Sequence, residues 1–252
     1  MVSLSFSHAS LTCLQQANQT PDRRTRERAL GSLRTYLHRD ATFTPLEFLK
    51  LWKGLFYCMW MQDKPRNQQR LARDLAELVD ALRTRENMLG FLDGFWKIMA
   101  REWGNIDALR MDKYLYLVRC YVNKGFEKVA EGGWDDEGLM EEYMKILEGT
   151  PLDARDAKIP NGLRYHVIDI YVDELDKMDT ERNAPLETLM RPLRKLGKES
   201  PTKAVRSRVK EALDDDRLSD WKGEKVNDED TDGDAANGTQ GRDDDEFGGF
   251  DD

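Results

Sequence analysis

Eight cationic side chains crowd the stretch from Glu187 to Lys210: Arg191, Arg194, Lys195, Lys198, Lys203, Arg206, Arg208 and Lys210. Only two carboxylates, Glu187 and Glu199, stand among them. A second cluster, Arg23, Arg24, Arg26 and Arg28, is followed by Arg34 and Arg39. Cations at this density can neutralise phosphates and position a protein on RNA without reading its sequence. The same spacing also describes a solvated helix face that needs no ligand, and composition leaves both readings open. No aromatic platform of the RNP type and no KH-type glycine loop accompanies the cations. A dedicated single-strand reader is therefore not expected.

Other reactive residue types lack partners at useful spacing. The histidines, His8, His38 and His166, form no HExxH pair and no nucleophile motif. His166 follows Tyr165 on an amphipathic stretch and reads as structural. The acidic pairs Asp135-Asp136, Glu141-Glu142 and Asp173-Glu174 read as solvated helix faces or partners of helix N-termini. No GxxxxGK[ST] or GxGxxG occurs. Asp228, Asp230, Asp232 and Gly233 open like a calcium loop, but Thr239 stands where a bidentate glutamate is required. Cys13, Cys58 and Cys120 are widely spaced and suggest buried small side chains in a reducing compartment rather than a disulfide or metal frame. We expect no enzyme, cofactor, metal or small-molecule substrate.

The chain has 252 residues, of which 35% are charged and 39% hydrophobic. Its net charge of −9 lies in the last 31 residues, where twelve acids oppose three bases, so that residues 1–221 are neutral. The acidic isoelectric point says little about the rest of the chain. Residues 222–252 are rich in Gly, Asp and Asn and are expected to be a disordered acidic tail. The tail ends DDDEFGGFDD, either a solubilising end or an acidic docking motif anchored by Phe247 and Phe250. The start MVSLSFSHAS has neither a basic flank nor an apolar run, so no cleavable signal is expected. No stretch reaches the ~18–20 apolar residues of a membrane span. A soluble intracellular chain with no membrane partner is predicted.

The elements carrying these residues read as helices throughout residues 1–221, about ten in series. Thr20-Pro21-Asp22 opens a helix with Leu30, Leu33 and Leu37 on one face. Thr44-Pro45 is a cap followed by a first-turn proline. Asp63 is expected to cap the next helix, with Leu71, Leu75, Leu78 and Leu82 as its stripe. Further helices run through Met88–Met99, from Asp107 to Gly132-Gly133, and from Trp134-Asp135 to Gly149. After a connector at 151–161 comes a helix from Gly162 to Met178, then two basic helices near 185–197 and 201–213. This order predicts an all-α, HEAT- or armadillo-like helical repeat, as a solenoid or an irregular bundle.

One segment stands apart. FLKLWKGLFYCMWMQDKP, residues 48–65, holds only two charges between Phe48 and Met61 and then turns polar at once. A helix apolar on nearly all sides is expected to be buried on nearly all sides. Its two tryptophans and its tyrosine, with Lys50 and Lys53 one turn apart, also suit a partner surface.

Together with FWKIMAREWGNIDALRMDKYLYLVR (95–119) and PNGLRYHVIDIYVDEL (160–175), this segment resembles the nucleolar ribosomal-RNA-processing protein 1 family. Its animal members are called nucleolar protein of 52 kDa. The resemblance spans roughly residues 5–215. It implies a HEAT-like fold and a nuclear, nucleolar scaffold for large (60S) subunit assembly. That scaffold would serve processing of the pre-rRNA to large-subunit and 5.8S RNA, without catalysis. It implies partners inside early pre-60S particles: a Brix-domain protein, a WD-repeat propeller and a small RNA-associated factor, with pre-rRNA itself. Trp52, Lys53, Trp60, Asp63, Lys64 and Pro65 lie in the most distinctive motif and are candidate partner contacts. The short acidic end departs from the long basic extension of animal members, as in a fungal-type member. An adaptor that binds proteins only is the alternative.

Overall fold

The computed structural model describes residues 23–221, without the side chains of residues 23–26 and 220. His8, Cys13, the helix start at Thr20-Pro21-Asp22, the calcium-like loop and the acidic tail lie outside the described residues. So do the side chains of Arg23, Arg24 and Arg26.

The described residues form helices and turns with no strand. We number the helices α1 (Arg23–Leu37), α2 (Pro45–Trp60), α3 (Pro65–Ala76), α4 (Arg85–Glu102), α5 (Ala108–Ala130) and α6 (Glu137–Gly149). They continue as α7 (Asn161–Met178), α8 (Leu186–Leu189), α9 (Arg191–Glu199), α10 (Lys203–Leu213) and α11 (Arg217–Trp221). No helix among the described residues is long and apolar enough to cross a membrane.

Caps fix several of the boundaries. Thr44 and Glu47 form a reciprocal capping box: Thr44 Oγ1 accepts from Glu47 N at 3.3 Å, and Glu47 Oε2 accepts from Thr44 N at 2.8 Å. Asp107 and Asp136 cap α5 and α6 by accepting from Arg110 N and Leu139 N. The Gly132-Gly133 turn that follows α5 has φ of +83° at both residues, which glycine adopts without a Cβ clash. Two expected boundaries move. Asp63 does not cap α3: Pro65 occupies the first turn, Lys64 takes the cap position, and no side chain accepts there. The helix expected near 185–197 is broken at Met190 into α8 and α9. The Leu71–Leu82 stripe is buried as predicted, although its last turn, Glu77–Ala81, winds as a 3-10 helix.

Each long helix packs on the one two places along. One layer runs α2–α4–α6–α9 and the other α3–α5–α7–α10, with α9 and α10 in close contact across them. This is the stacking of a helical repeat, and it spreads one continuous core from Ala29 to Trp221. Gly125 of α5 permits the closest approach: a Cβ there would collide with the Tyr143 hydroxyl of α6.

Candidate functional site

The aromatic block of α2, the first helix of its layer, packs on α4 and α5. Trp52 is fully buried and donates Nε1–H to Phe91 O of α4 at 2.8 Å. Its ring lies 4.9–5.0 Å from Phe91, Phe95 and Tyr121. Phe56 stacks on Tyr114 of α5 at 4.6 Å, and Tyr114 returns its hydroxyl to Phe56 O at 2.8 Å. Such pairs add about 0.5–1.5 kcal/mol each beyond their burial.

The last carbonyls of α2 have a cationic cap. Lys113 Nζ, from α5, donates to Trp60 O at 2.7 Å and Gln62 O at 2.8 Å. Burial pushes the Lys113 ammonium down to about 8. Lys53 Nζ lies 2.6 Å from Glu102, whose carboxylate also accepts from Arg101 Nε at 2.8 Å. Burial alone would raise the Glu102 carboxyl, but hydrogen bonds from Lys53 and Arg101 hold it below its ordinary value. Trp60 is half-buried beneath the Arg110 guanidinium, 4.8 Å from its ring, while Asp63, Lys64 and Pro65 are exposed in the turn. Of the six motif residues, Trp52 is core, Lys53 and Trp60 border the surface, and the last three face solvent.

That helix is not buried all round, which corrects the expectation from its composition. Leu46, Lys50, Lys53, Tyr57, Trp60 and Met61 recur every three to four residues along the side away from Trp52 and keep solvent contact.

The basic cluster of α9 and α10 is largely engaged within the fold. Arg191 pairs with Glu141 and, at 2.6 Å, with Glu148 of α6. Lys195 joins Glu148 at 2.9 Å, and Arg194 pairs with Glu187 at 2.7 Å. Arg208 reaches Asp169 at 3.3 Å and stacks 5.0 Å over Tyr165. Arg206 donates to Ser200 O and Pro201 O at 2.8 and 2.9 Å, closing the α9–α10 turn. Lys198, Lys203 and Lys210 are exposed and have no ion pair among the described residues. In the first cluster Arg28 is exposed on α1, while Arg34 pairs with Glu77 at 2.6 Å.

The profile of the Nop52 nucleolar protein family matches residues 14–247. The chain belongs to the Nop52 family. Among curated relatives, Ribosomal RNA processing protein 1 homolog A of Mus musculus is 44% identical over 61% of this chain and 32% of its own length. The Homo sapiens homolog A is 41% identical over 62% of this chain and 35% of its own. The Caenorhabditis elegans homolog is 35% identical over 60% of this chain and 38% of its own. The matched regions thus span about a third of these relatives' own lengths.

Inside this Nop52 chain, the remaining reactive side chains have structural partners. His166 Nε2 lies 2.8 Å from Leu115 O, and burial keeps the ring's pKa below the ordinary histidine value. Burial raises the Cys58 thiol to about 12 and Cys120 to about 11, which disfavours thiolate chemistry. Asp80, Glu127 and Glu131 converge closely enough to hold a cation, but Lys124 and Lys128 already lie among them, at 3.0 and 2.8 Å from Asp80. Sequence reasoning missed Lys113, Glu102 and Arg164. Arg164 clamps the 151–161 connector by donating to the carbonyls of Asp153, Asp156 and Ile159. The available signal was position: Lys113 lies one turn before Leu117, and Arg164 one turn before Val167 and Ile168, so both interrupt apolar faces.

Proposed function

We propose that this chain is a non-enzymatic nucleolar scaffold that serves pre-rRNA processing during assembly of the large ribosomal subunit. The family match over residues 14–247 carries the reading. The relatives' name, ribosomal RNA processing protein 1, gives the process, and the stacked helical layers supply an extended rigid surface. Residues 1–221 would be the scaffold and 222–252 an acidic tail. Its partners are other pre-60S assembly factors, of the Brix-domain, WD-repeat and small RNA-associated kinds, together with pre-rRNA.

Of the cations read from the sequence, Lys198, Lys203 and Lys210 are best placed to meet phosphate, because their charges are not committed within the described residues. Replacing all three by glutamine should weaken binding to structured large-subunit precursor fragments. The slope of log affinity against log salt should fall by about 2–3. Arg206→Gln and Arg208→Gln are poorer probes, since each also breaks a contact inside the fold. An unchanged salt slope in the triple variant would remove these lysines from RNA contact. The internal pairing of Arg191, Arg194, Lys195 and Arg208 favours a second reading, an adaptor that binds proteins only. Tight binding of assembly factors with no RNA affinity in the wild type would select it.

A further inference from the structure

We propose that Thr44, at the head of α2, is a phosphorylation site for a proline-directed Ser/Thr protein kinase. The modification goes beyond the scaffold reading and does not depend on it. Ser/Thr-Pro pairs stand at Thr20-Pro21, Thr44-Pro45, Thr150-Pro151 and Ser200-Pro201. Proline has no N–H, so a kinase pocket without an acceptor at that position admits proline and leaves the N–H of any other residue unpaired. The acceptor residue must also be exposed and extended, because its hydroxyl has to stand in line with the γ-phosphate of the nucleotide.

Thr20 lies outside the described residues, and the fold separates the other three. Thr150 and Ser200 are only 5% and 6% exposed. Thr150 also has φ −138° and ψ −82°, which is not extended. Thr44 is exposed, as are Pro45, Leu46 and Glu47, and its φ of −77° and ψ of 153° are those of an extended chain. Its neighbours hold that shape. Asn87 of α4 donates Nδ2–H to Ala41 O at 2.9 Å and accepts from Phe43 N at 3.0 Å. Phe43 turns into the core, while Ala41, Thr42 and Thr44 face outward. Beyond the acceptor lies a helix end, the part of a helix that opens at least cost.

Attack by Thr44 Oγ1 on the γ-phosphorus of ATP breaks the bond to the β–γ bridging oxygen. ADP leaves with that electron pair, and the threonine proton passes to the kinase's catalytic aspartate. The site suits the anion that results. Thr44 Oγ1 stands 2.9 Å from the Glu47 carboxylate, and Arg39 reaches that carboxylate at 3.9 Å. The Thr44 N–H above all, then the Thr44 hydroxyl, Arg39 and Lys50, hold the Glu47 carboxyl below its ordinary value. A phosphate on Oγ1 would bring about −1.5 to −2 charges to the N-terminus of a helix of 16 residues. Repelling Glu47, it would take over that carboxylate's hydrogen bond from the Thr44 N–H and its pairing with Arg39. Modification thus exchanges one capping anion for another and leaves α2 folded.

Phosphopeptide mapping of two samples tests this: the folded full chain incubated with ATP and a purified mitogen-activated protein kinase, and the tagged chain recovered from growing cells. Thr44 should carry phosphate in both. In the purified reaction its labelling should exceed that of Thr42, Thr150 and Ser200 at least tenfold, Thr42 being exposed but not followed by proline. Pro45→Ala, which keeps the hydroxyl, should lower Thr44 labelling at least tenfold, and Thr44→Ser should retain it. The phosphorylated chain should keep its helical circular dichroism. Absence of phosphate at Thr44 from either sample, labelling indifferent to Pro45→Ala, equal labelling of Thr150 or Ser200, or loss of helix on modification would overturn the proposal. The kinase reaction needs neither particle nor RNA, so its outcome leaves the scaffold reading to its own tests.

Discussion

Tyr114 and Tyr121 donate their buried hydroxyls to Phe56 O and Leu75 O, at 2.8 and 2.5 Å. Tyr143 is equally buried, yet its hydroxyl has no hydrogen-bond partner among the described residues. An unsatisfied buried hydroxyl is costly, whereas a bonded one contributes about 1 kcal/mol. Tyr143→Phe should therefore leave stability unchanged or raise it by about 1 kcal/mol, while Tyr114→Phe and Tyr121→Phe should each cost about 1 kcal/mol. Urea titration of the three variants checks the contrast. Lys113 offers a second test. Its folded pKa, about 8, lies below the 10.5 of an ordinary lysine. From about pH 8 toward the ordinary lysine range, the unfolded chain holds a proton that the folded chain has lost, so this group makes stability rise with pH. Lys113→Met should abolish that rise. At neutral pH it should also cost about 2 kcal/mol, because two hydrogen bonds to carbonyls at the end of α2 are lost. Parallel pH–stability curves for the two proteins would contradict the assignment.

At the scale of the element, the capping box at Thr44 and Glu47 starts α2, the helix that carries the aromatic block packed on α4. Thr44→Ala should cost about 1 kcal/mol, read as a lower denaturant midpoint with an unchanged slope. Caps of this kind were legible because they depend on neighbours in sequence: Thr44-Pro45 and Asp107 acted as their types predict. Asp63 failed as a cap because the geometry set by Pro65 moved the helix start by one residue. The exposed stripe of α2 was illegible for a different reason. Leu46, Tyr57 and Met61 are as apolar as Leu51 and Met59, and only the packing of α4 and α5 on the opposite side decides which set is covered. The ion pairs of Arg191 and Lys195 on α9 likewise join residues more than forty positions apart, such as Arg191 and Glu148, so the sequence displayed cations without showing which were already matched.

For the whole molecule, the helical stack reconciles a neutral body with local basic density. Carboxylates on α6 and α7 pair with Arg191, Lys195 and Arg208 of α9 and α10, which leaves Lys198, Lys203 and Lys210 exposed without an ion pair among the described residues, and an apolar stripe elsewhere on α2. We propose above that this chain works as a scaffold on large-subunit precursors. Affinity purification of the tagged chain from growing cells, with ultraviolet crosslinking and sequencing of attached RNA, tests it most directly. Large-subunit assembly factors should co-purify and crosslinks should concentrate in large-subunit precursor RNA, both retained in a His166→Gln variant that folds normally. Recovery of neither factors nor precursor RNA would contradict it.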